Sequence, residues 1–79
     1  MKANEAVSIK LINICKERNL PINKLASLSC YTQSTVENII NCNSKNPKLL
    51  TIVRICDGLG ITLKEFFSDD LFLNLDKED

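Results

Sequence analysis

Leu20-Pro21-Ile22-Asn23-Lys24-Leu25-Ala26-Ser27-Leu28-Ser29-Cys30-Tyr31-Thr32-Gln33-Ser34-Thr35-Val36-Glu37-Asn38-Ile39-Ile40-Asn41 carries two short helical patterns around a turn. Leu25, Ala26 and Leu28 give the first, Ile22 to Ser29, an apolar side. Thr32 stands where its hydroxyl can accept from the first free N–H groups of a second helix. That helix runs to about Asn41, with Val36, Ile39 and Ile40 inward.

Toward the N-terminus, Asn4 to Arg18 has no Pro or Gly, and Val7, Leu11, Ile14 and Cys15 recur at helical spacing. Ile9 and Ile12 lie off that stripe, as shallow positions or as cover for a partner subunit. Asn19-Leu20-Pro21 ends the helix, because the residue before Pro is pushed out of helical backbone.

Toward the C-terminus, Asn43-Ser44-Lys45-Asn46 reads as a polar loop, with Asn46 as cap and Pro47 as first residue of a fourth helix. Leu49, Leu50, Ile52, Val53, Ile55 and Cys56 predict that this helix is the centre of the core, and Gly60 ends it. Thr62-Leu63-Lys64-Glu65 fits a capping box opening a short fifth helix with Phe66 and Phe67. The expected fold is all-α and compact, with five helices in one domain over residues 1–70. Residues 71–79 form an acidic-apolar tail, which either folds back, covers the same segment of a second copy, or hangs loose.

Seventy-nine residues leave no room for a catalytic domain beside this one. No His, no Gly-rich phosphate loop and no paired carboxylates beside a nucleophile argue against an enzyme. The cysteines, at 15, 30, 42 and 56, lack the paired spacing of zinc ligands, so neither a metal nor another cofactor is expected. Cys15 and Cys56 read as buried hydrophobes, and Cys30 and Cys42 as partly exposed. No secretion signal opens the chain, and no stretch approaches the ~20 apolar residues that cross a bilayer, so a cytosolic protein away from membranes is expected.

Net charge is zero, yet the charges are segregated. Residues 1–64 hold nine Lys and Arg against four Asp and Glu, a net of +5, and residues 65–79 hold one Lys against six acids, a net of −5. A basic body can attract phosphate over a Debye length of about 8 to 10 Å despite a distant acidic end. The outward side of the third helix, Gln33, Ser34, Thr35, Glu37, Asn38 and Asn41, has one charge and is rich in amides and hydroxyls. Such groups both donate and accept, which suits base edges better than an ordinary solvated Lys/Glu face does.

Two short helices about a tight turn, the second with an amide-rich face, resemble the Cro/CI-type helix-turn-helix family of bacterial and phage regulators, often called the Xre family. The resemblance spans roughly residues 7 to 67. Ala26 matches the small residue between the paired helices, and Val36 and Ile39 match the buried positions of the reading helix. Ile55-Cys56-Asp57-Gly58-Leu59-Gly60-Ile61, with Leu63 to Phe67, is similar to the family's closing segment. Cys30 and Cys42 depart from it, standing where the family usually has Gly, and Ile22 stands where a Gln often holds phosphate.

The resemblance implies a lambda-repressor-like DNA-binding domain and a transcriptional regulator, foremost a repressor. Its third helix would read double-stranded DNA in the major groove. Gln33, Ser34, Thr35, Glu37 and Asn38 would contact bases, and Asn23, Lys24, Asn41, Asn43, Ser44 and Lys45 the DNA backbone. One reading helix covers few base pairs, so a homodimer on a palindromic operator is expected, joined through Phe67, Leu71, Phe72, Leu73 and Leu75. The rival expectation keeps the fold but binds a protein partner through the acidic apolar tail, as the antitoxin of a toxin-antitoxin pair does.

Overall fold

A computed structural model describes residues 1–77, so Glu78 and Asp79 of the acidic tail lie outside the described residues. Five α-helices follow one another: α1 Ala3–Arg18, α2 Ile22–Leu28, α3 Gln33–Ile40, α4 Leu49–Leu59 and α5 Leu63–Phe67. A 3-10 turn over Asp70–Phe72 follows them. No strand occurs among the described residues. The core gathers Val7, Leu11 and Ile14 of α1, Leu25 and Ala26 of α2, Val36 and Ile39 of α3, Ile52, Ile55, Cys56 and Leu59 of α4, and Phe66 of α5. Burying a residue such as Phe66, Leu11 or Leu25 completely contributes roughly 1.5–3 kcal/mol each.

Thr32 caps α3 and Thr62 caps α5, each hydroxyl accepting from the N–H three residues on, and Glu65 returns a bond to the Thr62 N–H to complete the capping box. The ends of α1 to α4 share one backbone solution. Asn19, Cys30, Cys42 and Gly60 take φ of 50°, 60°, 59° and 71°. The N–H after each bonds back across the last turn: Leu20 to the Cys15 carbonyl, Tyr31 to Ala26, Asn43 to Asn38 and Ile61 to Cys56. These are Schellman closures, and they satisfy carbonyls a helix end leaves without partners. Cys42 itself supplies the left-handed residue that closes α3.

Three expectations need correction. The fourth helix begins at Leu49 behind Lys48, whose carbonyl accepts from Thr51 and Ile52; Asn46 does not cap it and Pro47 precedes it. The helix thus opens two residues after Pro47, and its inward stripe begins at Ile52. Leu49 and Leu50 are 63% and 56% exposed and Val53 is half-buried, so these three do not form the core's centre. Leu49 continues the stripe by spacing, but its side chain stays largely exposed. Leu28 likewise ends α2 at 45% exposure.

Long-range polar contacts fix α3 on the scaffold. Ser8, buried on α1, donates its hydroxyl to the Ile40 carbonyl at the end of α3, and Asn4 donates to the Ser44 carbonyl at 3.3 Å. Arg18 donates to the Leu59 carbonyl at 2.6 Å, closing α1 onto the end of α4. Gly58 lies against α2: a Cβ there would stand 2.6 Å from the Leu28 carbonyl oxygen, so only glycine admits this approach.

The segment after α5 doubles back. Phe72 stacks 5.9 Å from Phe66 and 4.9 Å from Phe67, ring centre to ring centre. Asp69 accepts from the Leu71 N–H at 3.1 Å and pairs with Lys10 of α1 at 3.0 Å. Asp76 donates its N–H to the Met1 carbonyl at 2.9 Å, bringing the ends of the described chain together.

Candidate nucleic-acid interface

Val36 and Ile39 turn one side of α3 into the core, and the geometry of a helix then presents positions 33, 34, 37, 38 and 41 elsewhere. Gln33, Ser34, Asn38 and Asn41 are exposed, while Thr35 and Glu37 are partly covered. Thr35 is partly occupied with the cap, its N–H and hydroxyl both meeting the Thr32 oxygen, at 3.3 and 3.0 Å. Of the proposed backbone contacts, Asn23, Lys24, Asn43 and Lys45 are exposed and Ser44 is half-buried.

The outward face is ordered by its own contacts. Gln33 donates an amide N–H to the Glu37 carboxylate at 2.8 Å, one helical turn along. The other amide N–H and the amide oxygen of Gln33 make no further side-chain bond among the described residues. Asn43 donates to the Asn38 amide oxygen at 3.4 Å, a long bond that links the loop to the end of α3. On the far side of the turn, Tyr31 donates to Thr51 at 3.3 Å and Arg54 stands 5.8 Å over its ring. A cation over an aromatic face gains about 0.5–1 kcal/mol at an exposed site. The Gln33–Glu37 pair was readable as an i, i+4 spacing; the Tyr31–Thr51–Arg54 set joins elements far apart in sequence.

The chemistry of the cysteines is subdued. All four are free thiols, with Cys30 exposed, Cys56 buried and Cys15 and Cys42 between. Burial pushes the Cys15 and Cys56 thiols above their ordinary value, aided at Cys56 by the Asp57 charge, so both are weak nucleophiles. No cluster of three metal-ligating side chains occurs among the described residues, and no helix among them is long and apolar enough to cross a membrane.

A helix pair about a tight turn, the second helix capped and amide-rich on its free side, is therefore the feature to compare with known proteins. The family model of the Cro/C1-type HTH DNA-binding domain matches residues 10–70. The chain belongs to that family. No curated protein and no solved structure matches it. In this Cro/C1-type domain α2 and α3 form the helix-turn-helix, α1 and α4 carry it, and α5 closes the bundle. The match begins after Asn4 and Ser8, whose side chains bond the loop after α3 and the end of α3.

Proposed function

We propose that this DNA-binding domain is a sequence-specific transcriptional repressor that acts without catalysis, as a homodimer on a palindromic operator. The observation that carries the reading is the free side of α3, where Gln33, Ser34 and Asn38 are exposed opposite a buried stripe. Gln33, with one N–H held by Glu37, keeps a donor and an acceptor side by side for the N7 and N6 edge of adenine. Asn38 offers its amide N–H groups further along, its oxygen already accepting from Asn43. Ser34 and Thr35 supply adaptable hydroxyls, and Glu37 either accepts from a cytosine amino group or rejects sites that bring an acceptor to it. Asn23, Lys24, Asn41, Asn43, Ser44 and Lys45 hold the phosphodiester strands and fix register.

For the dimer, Phe67 at 37% and Leu73 at 72% exposure carry the outward apolar area, with Leu71, Phe72 and Leu75 behind them. The exposed Leu73, on an acid-flanked segment, also supports the antitoxin reading, in which a protein partner covers it; co-purification of a second polypeptide separates the two. Selection of bound sites from a random duplex pool tests the main proposal. A palindrome is expected, with base preference relaxed by Gln33→Ala and Asn38→Ala. Lys45→Ala is expected to weaken all sites alike and reduce the salt slope by roughly 1. Failure of the wild-type protein to enrich any sequence sinks the reading.

A further inference from the structure

Beside the C-terminal end of α3 lies a groove of about 660 Å³ that the helix-turn-helix does not account for. Its walls come from three separate stretches of chain: the first turn of α1, the loop between α3 and α4, and the returning C-terminal segment. Each stretch brings a lysine, Lys2, Lys45 and Lys77, and all three are exposed. None of them makes an ion pair among the described residues, where the two pairs are Lys10–Asp69 and Met1–Asp76. Two acids also line the groove, and both are engaged. Glu5 accepts from the Lys2 backbone N–H at 2.9 Å, and Asp76 lies 3.8 Å from the Met1 ammonium. Glu5 keeps its charge in that bond, so three lysines and the Met1 ammonium set four positive charges against two negative ones here among the described residues.

The groove is continuous with the reading surface. Asn43 joins Asn38 to the loop, the loop is pinned to α1 by the Asn4–Ser44 bond, and Lys45 and Asn46 follow directly into the groove wall. On the assignment of α3 as the reading helix, a strand leaving its C-terminal end would pass over this groove.

We propose that the groove is a phosphate track for the operator strand leaving α3, in which Lys2 and Lys77 extend the contact begun by Lys45. The occupant is the phosphodiester backbone of the same duplex, recognised by charge alone and therefore blind to sequence. The proposal rests on the assignment of α3 as the DNA-reading helix.

The test uses the full chain and a duplex enriched from the random pool, with affinity followed between about 50 and 200 mM salt. Each phosphate contact contributes about 0.9 to the slope of log affinity against log salt. The Lys2→Gln/Lys77→Gln double variant should therefore lose roughly 1 to 2 units of slope with base preference unchanged. Lys2→Arg/Lys77→Arg should keep the wild-type slope, and Lys16→Gln/Lys64→Gln, equal in charge but outside the groove, should shift it by less than about half a unit. Equal slopes for the Lys2/Lys77 and Lys16/Lys64 glutamine variants overturn the track while leaving the reading helix intact. Absence of binding by the wild-type chain overturns the reading itself, and the track with it.

Discussion

The turn after α2 and the turn after α4 share a backbone but not a residue. Gly60 takes φ 71° at the second, with nothing within 4 Å of where a Cβ would be. Cys30 takes φ 60° at the first, where an L side chain costs on the order of 1 kcal/mol. The α4 turn is thus favoured by its own residue. The turn of the helix-turn-helix is held from across the molecule, by α4 approaching the Leu28 carbonyl through Gly58. A strained conformation persists only where its surroundings over-determine it, and here the surroundings are a glycine twenty-eight positions downstream of the turn.

The sharpest way to break this contrast is Gly58→Ala. Its Cβ meets backbone that cannot swing aside, so a loss of roughly 2–3 kcal/mol and a fall in Tm of about 10 °C or more are expected in thermal unfolding. A melt matching wild type would mean that α4 does not clamp the turn. Next come the turn residues themselves, with opposite signs. Gly60→Ala should destabilise by about 1 kcal/mol, whereas Cys30→Gly and Cys42→Gly should each stabilise by roughly 0.5–1 kcal/mol in urea unfolding. Shifts of the same sign at all three positions would remove the distinction.

The smallest effect sharpens the comparison from the C-terminal side, where a charge contact does the holding. The Leu71 N–H and then Lys10 keep the Asp69 carboxyl below its ordinary value. A carboxyl lowered in the folded state contributes stability above its unfolded value, and that contribution is lost as pH falls through the folded one. Stability measured from neutral pH downward should therefore fall less steeply for Asp69→Asn, with the Cys30 turn unaffected. Identical acid limbs for variant and wild type would show that the latch carries no weight.

How much of this was legible depended on distance along the chain. The caps at Thr32 and Thr62, the stop at Gly60 and the inward pair Val36 and Ile39 are written within a few residues of where they act, and the family's pattern made the helix-turn-helix plain. The role of Asn4 and Ser8 was not legible, because their partners lie 40 and 32 positions away and nothing local marks a polar residue for burial. Leu49 and Leu50 misled for the complementary reason: they have the right residue type and spacing but stay largely exposed. At the site, residue types could suggest a base-reading face. They could not show that Glu37 holds Gln33 in one orientation, or that Lys2 and Lys77 meet beside Lys45.

Cys30 has one more consequence, for anyone handling the protein. It is the exposed thiol of the four, and it stands three residues before Gln33. Oxygen in air can oxidise two such thiols to a disulfide, joining two chains at twice the monomer mass. Mass alone then mimics the proposed homodimer, so oligomer size is meaningful only in the presence of a reductant or after this sulfur has been replaced.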